Sequence, residues 1–238
     1  MLSIKNLSVS YDNKIAVDNL SVQFNASEIT GLIGPNWAGK STFMKTCIGM
    51  ISNYSGDIIF NDKSLNKNRF WIKQNAVYTA ENAELLNYLT GQEFLKLIGN
   101  IYELDSIDEK IEFFIDLMGL GHKKLELIEN YSHGMRQKLS LAAALLPEPM
   151  YILIDESVNG LDSISLKRIF EYLTEQRNKG RIIILSSHNV DLVEDWCDHV
   201  YVINHGKIIA AFSMGEIQTF KTTKGGFLKK YIELINQT

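Results

Sequence analysis

Gly34-Pro35-Asn36-Trp37-Ala38-Gly39-Lys40-Ser41-Thr42 places two glycines, a lysine and two hydroxyls within nine residues, in the spacing Gly-x-x-x-x-Gly-Lys-Ser. Glycines let successive backbone N–H groups turn inward around an anion, the lysine ammonium neutralises phosphate oxygens, and the Ser41 hydroxyl is suited to ligate Mg²⁺. Asn36, Trp37, Ala38, Gly39, Lys40, Ser41 and Thr42 are therefore all candidate phosphate contacts. A second locus is Tyr151-Ile-Leu-Ile154-Asp155-Glu156, where two carboxylates follow an apolar run, the strand end at which open parallel sheets hold ligands. There Asp155 suits a Mg²⁺ contact, direct or through water, and Glu156 can orient or deprotonate an attacking water. Alone, the first pattern is also met in plain turns and the second in helix caps followed by a solvated acid. Occurring together, they favour the functional reading.

The elements around these loci have to bring them to one place. Ile29 to Ile33 is an apolar run feeding into Gly34, and Ser41 to Met50 reads as the helix that follows. Before it, Leu2, Ile4, Leu7 and Val9, then Leu20, Val22 and Phe24, alternate as strands around a turn at Asp12-Asn13, an N-terminal antiparallel piece. From about 84 to about 146 the period becomes helical, with capping-box spacing at Thr90/Glu93 and Ser106/Glu109. Ile107, Ile111, Phe114, Ile115 and Met118 share one helical face there. Beyond this insertion, Tyr151–Ile154 and Arg181–Leu185 read as buried parallel strands about a helix near 163–178. Val200–Ile203 and Lys207–Phe212 close the core through a turn at Asn204-His205-Gly206. Phe227, Leu228, Tyr231, Leu234 and Ile235 give the C-terminal segment an amphipathic period, expected to pack on its own domain.

Composition narrows the classes. The 238 residues are 45% hydrophobic and 22% charged, an ordinary globular balance rather than a disordered or fibrous one. A formal charge of -4 gives no basic excess for a phosphodiester backbone, so nucleic acid is not an expected partner. Two cysteines, Cys47 and Cys197, and no apolar run of about 18 residues indicate a reduced, cytoplasmic chain that reaches a membrane only through a partner.

The order of these loci, with Tyr131-Ser132-His133-Gly134-Met135-Arg136-Gln137 just upstream of the Asp155 strand, resembles the nucleotide-binding domains of ATP-binding cassette (ABC) transporters over nearly the whole chain. The resemblance implies an α/β P-loop NTPase fold with a mixed or parallel sheet, an N-terminal antiparallel β piece and an inserted helical subdomain. It implies one domain over 1–238: a core of about 1–82 and 147–215, a helical part of about 83–146 and a C-terminal helix of about 226–236. It implies ATP and Mg²⁺ as cofactors and ATP hydrolysis with Glu156, His188 and Lys40 as catalytic groups. It also implies that Tyr11 stacks on adenine, that Glu81 joins Ser41 and Asp155 at the metal, and that His188 touches the γ-phosphate. Ser132 and Gly134, and Asp162 in Asn159-Gly160-Leu161-Asp162, resemble segments that meet ATP across an interface with a second cassette, identical or a close paralogue. A serine hydroxyl, a glycine and a helix N-terminus together suit an anion, although a plain N-cap at Ser132 over a core face of Met135, Leu139, Ala142, Ala143 and Leu146 accounts for the same residues. The form of this motif and the short C-terminus resemble the export-type branch, which acts at the inner face of the cell membrane through separate integral membrane subunits.

Several positions depart from the family pattern: Glu81 stands for glutamine, Met135 for glutamine, Ser157 for proline and Trp37 for glycine. A bulky residue forced to positive φ at Trp37 costs about 1–3 kcal/mol, and such a loss would weaken ATP binding by roughly tenfold to a hundredfold. An indole that points outward and changes little is the other reading. Two rival functions follow: a soluble cassette ATPase acting on ribosomes or DNA, and a nucleotide-sensing cassette of low activity, motivated by Trp37, Glu81 and Ser157.

Overall fold

The computed structural model describes every residue except Asn13, Asn82, Ala83, 222–225 and Thr238. Two sheets form it. The first is antiparallel, in the order β2-β1-β4-β5, from β1 (Leu2–Tyr11), β2 (Lys14–Phe24), β4 (Ser55–Phe60) and β5 (Lys63–Ser64). Leu2 opposes Phe24, Ile4 opposes Val22 and Leu7 opposes Leu20, so the alternating apolar set lies on one buried face. Asn13 of the expected Asp12-Asn13 turn lies outside the described residues.

The second sheet runs β10-β9-β3-β8-β7-β6: β3 (Glu28–Ile33), β6 (Ala76–Ala80), β7 (Tyr151–Asp155), β8 (Ile182–Ser187), β9 (His199–Asn204) and β10 (Lys207–Ser213). From β9 to β6 all neighbours are parallel, and β10 joins antiparallel through the Asn204-His205-Gly206 turn. Every residue of β7 and β8 is buried, which is why both read as continuous apolar runs. Their pleat divides the core. Ile152 and Ile154 face one cluster with the helices, whereas Tyr151 and Leu153 face a second cluster shared with Phe24, Phe43 and Phe60 between the sheets. Parallel strands end at the same edge, so Ile33, Ala80, Asp155 and Ser187 deliver the segments that follow them to one side of the molecule.

The helices are α1 (Lys40–Cys47), α2 (Arg69–Asn75), α3 (Gly91–Ile101), α4 (Ile107–Leu117), α5 (His133–Leu145), α6 (Ser163–Asn178), α7 (Val190–Trp196), α8 (Met214–Lys221) and α9 (Gly226–Gln237). A capping box starts α3: the Thr90 N–H donates to Glu93 Oε2 at 2.8 Å, and the Glu93 N–H to Thr90 Oγ1 at 3.2 Å. The second expected box does not form. Ser106 is left-handed, φ 50°, and its side chain caps nothing, because an N-cap hydroxyl reaches the next turn only from extended backbone. The α4 face is as expected, with Ile111, Phe114, Ile115 and Met118 buried and Ile107 packed against them. Phe227 of α9 is buried and its N–H donates to Glu194 Oε1 of α7, so the C-terminal helix packs on its own domain. Cys47 and Cys197 are free and buried, and burial pushes both thiols up. Among the described residues no helix is long and apolar enough to cross a membrane.

Candidate active site

Between β3 and α1 the chain has little freedom. A Cβ on Gly34 would strike the Ile203 carbonyl, and one on Gly39 the Ala16 carbonyl, while Gly39 also sits at φ 104°. The loop is pinned where the Ala38 N–H donates to Pro35 O (3.1 Å) and the Gly206 N–H to Ala38 O (2.9 Å). Gly39 caps α1 without a side-chain acceptor, which leaves the first-turn N–H groups to an outside anion. Trp37 answers both readings of that position at once: its φ is 71°, in the left-handed region, and its side chain is 95% exposed. Strain and an outward indole coexist.

Lys40 is only 5% exposed, and its Nζ donates to Gly34 O (2.8 Å) and Pro35 O (3.2 Å) and lies 3.3 Å from Glu156 Oε1. Its ammonium thus ties the phosphate loop to the end of β7. Glu156 is itself left-handed, φ 55°, with its N–H donating to Ser186 O at 3.3 Å. The other carboxylate oxygen, Oε2, lies 3.0 Å from His188 Nδ1. Asp155, 4% exposed, is gripped from both flanking strands: the Tyr78 hydroxyl of β6 donates to Oδ2 (2.6 Å), and the Ser186 hydroxyl of β8 to Oδ1. Burial, then this bond to a carboxylate, push the Tyr78 hydroxyl well up. Ser157, where the family pattern has proline, is buried and exchanges a hydrogen bond with the Thr79 hydroxyl.

Most of the expected site residues meet in one place. All of Asn36 to Thr42, with Tyr11, Glu81, Asp155 and Glu156, line a cavity of about 710 Å³ at the strand-end edge. Lys14 and Lys45 line it too, adding positive charge to which no sequence pattern pointed, as does Tyr78. His188 is outside this lining and joins through Glu156. No group of three or more His, Cys, Asp or Glu among the described residues could hold a metal by itself. The donor set nonetheless fits Mg²⁺, which takes one or two carboxylates plus phosphate oxygens and water: Ser41, Asp155 and Glu81 all face the cavity.

Ser132, Gly134 and Asp162 lie outside it. Ser132 caps α5, accepting from the Met135 N–H at 3.3 Å, and Asp162 caps α6, accepting from the Ser165 N–H (3.0 Å) and hydroxyl (2.8 Å). Lys138, 2.6 Å from Asp162, and then Ser165 hold that carboxyl well below the usual range. Gly160 packs directly on the Gln137 side chain, and a Cβ on Gly134 would stand 3.5 Å from Gly160 O. The two segments therefore form one clamped surface.

The ABC transporter family matches residues 17–159. The lipopolysaccharide export system ATP-binding protein LptB of Haemophilus influenzae is 30% identical over 239 residues, covering 98% of this chain and 99% of its own. A solved ATP-binding subunit of an ABC transporter superposes with a TM-score of 0.89 at 28% identity, covering 98% and 99% of the two chains. The cassette MJ0796, solved as a dimer in a post-hydrolysis state with ADP and Pi, superposes at 0.82 over 90% of this chain and 99% of its own; at 18% identity it speaks for the fold alone.

Proposed function

This chain belongs to the ABC transporter family of ATPases, and from that premise we propose that it is the ATP-binding and ATP-hydrolysing subunit of an exporter, working in pairs beneath separate membrane subunits. The observation that carries the reading is the Lys40 ammonium, held between the carbonyls of the phosphate loop and Glu156 in a cavity that also holds Asp155. Inward N–H groups and the α1 N-terminus hold phosphate, and Lys40 exchanges loop carbonyls for phosphate oxygens. Tyr11, half exposed at the cavity wall, gives the base an aromatic face. Glu156 receives the proton of the attacking water while His188 fixes its second oxygen. Ser41, Asp155 and Glu81 would hold Mg²⁺, which supplies neutralisation of charge on the transferring phosphoryl group.

Pairing is supported by the placement of Ser132 and Gly134, which carry a helix N-terminus yet lie outside the chain's own cavity. In the reading that the motif resemblance implies, a second cassette, identical or a paralogue, brings them to the nucleotide. Export is supported by the similarity to LptB, an ATP-binding protein of a lipopolysaccharide export system, and the location that goes with this reading is the inner face of the membrane, beneath the proposed membrane subunits. The test is turnover of the assembled complex: the native chain hydrolyses ATP, and Glu156→Gln binds ATP but does not turn over. Native turnover no faster than that of Glu156→Gln would overturn the assignment.

A further inference from the structure

Asp155 has no free choice of orientation, and its two restraints are not equivalent. Ser186 stands directly opposite it on β8 and is wholly buried. Tyr78 reaches it diagonally: Ala80 is the register partner of Asp155 on β6, and Tyr78 lies two residues earlier on the same face. An aromatic side chain spans that diagonal, and the hydroxyl arrives 2.6 Å from Oδ2.

The same ring has a second surroundings. Tyr78 lines the nucleotide cavity and also a groove of about 510 Å³ between the sheet and the helical segment, walled by Ile72, Val77, Phe94, Ile98 and Ala143. Tyr78 thus borders both cavities and holds, at the tip of its side chain, the carboxylate read as a metal contact.

We infer that Tyr78 is a positioning residue for Asp155 and that it transmits the packing state of the groove to the metal site. The inference rests on the reading of Asp155 as a Mg²⁺ contact. A change in groove packing that tilts the ring withdraws or re-aims the hydroxyl, while Ser186 keeps its hold on Oδ1. Asp155 then loses part of its alignment rather than all of it.

The test uses the full chain with a non-hydrolysable ATP analogue and Mn²⁺ as the probe, with bound metal read by electron paramagnetic resonance. Asp155→Asn serves to test the underlying reading and is expected to abolish tight Mn²⁺ binding. Tyr78→Phe keeps the ring and the fold and is expected to raise half-saturating Mn²⁺ about tenfold at saturating analogue, the scale of one hydrogen bond to a charged group. Ala143→Phe, which fills the groove beside Tyr78, is expected to shift Mn²⁺ affinity in the native background and not in Tyr78→Phe; Ala144→Phe replaces it should it fail to fold. If Asp155→Asn abolishes binding and Tyr78→Phe leaves it unchanged, the inference is wrong and the site assignment stands. Equal effects of Ala143→Phe in both backgrounds would overturn the transmission. Unchanged Mn²⁺ binding by Asp155→Asn would remove the metal reading, and the inference with it.

Discussion

Replacing Trp37 separates two contributions that the native residue combines. The indole is 95% exposed, so its removal forfeits almost no burial, whereas its backbone is held at φ 71°. A left-handed residue with a Cβ costs about 1–2 kcal/mol, and a glycine adds about 0.5–1 kcal/mol of unfolded-chain entropy to be overcome. Trp37→Gly should therefore stabilise the chain by about 0–1.5 kcal/mol, and Trp37→Ala, which keeps the Cβ, should change little. Urea unfolding of the purified chain measures both from the midpoint and slope. Strain that the loop carries before and after binding cancels from the affinity, so Mg-ATP binding by Trp37→Gly should stay within about threefold of native. The tenfold to hundredfold weakening conceivable from sequence applies only if φ must change on binding. Trp37→Ala destabilising by more than about 1 kcal/mol, or Trp37→Gly tightening ATP tenfold or more, would refute this account.

Other perturbations probe the rest of the site. Lys40→Ala removes a nearly buried ammonium from phosphate and strands Glu156, and should lower ATP affinity about a hundredfold in an equilibrium titration. Gly160→Ala drives a methyl into the Gln137 side chain and should cost about 1–3 kcal/mol in chemical denaturation, partly recovered by adding Gln137→Ala. Asp162→Ala deletes the α6 cap and should cost about 1 kcal/mol at neutral pH, with Asp162→Asn retaining most of the stability. Because the folded chain depresses the Asp162 carboxyl, its contribution is present above the unfolded value and lost as pH falls through the folded one. The gap between native and Asp162→Ala melting curves should therefore close below about pH 4.

Legibility followed the range of the interactions. The phosphate loop, β7, β8 and the helix at 163–178 are local patterns of period, glycine and charge, and the structure has them where the spacing puts them. The 51–80 stretch, for which the spacing gave no element, holds β4, β5, α2 and β6; β4 is half exposed at Ser55-Gly56-Asp57, which blurs its alternation. Strand register is not local. That Tyr78 and Ser186 would both grip Asp155 follows from β6 and β8 flanking β7, which no spacing along the chain reveals. The backbone of Glu156 was hidden for a similar reason, since a glutamate at φ 55° has no compositional mark of the kind glycine gives. Ser106 failed as a cap because residue type was right and backbone conformation was not.

The two native thiols have a practical corollary. Cys47 and Cys197 are sealed in the core and held in the unreactive protonated form, so a maleimide or spin label offered to the folded chain finds neither. Cysteines introduced together at the exposed Ser132 and Trp37 would then be the only points of attachment, and a fluorophore pair on them would report the distance between those two positions during a turnover without first stripping the natural cysteines.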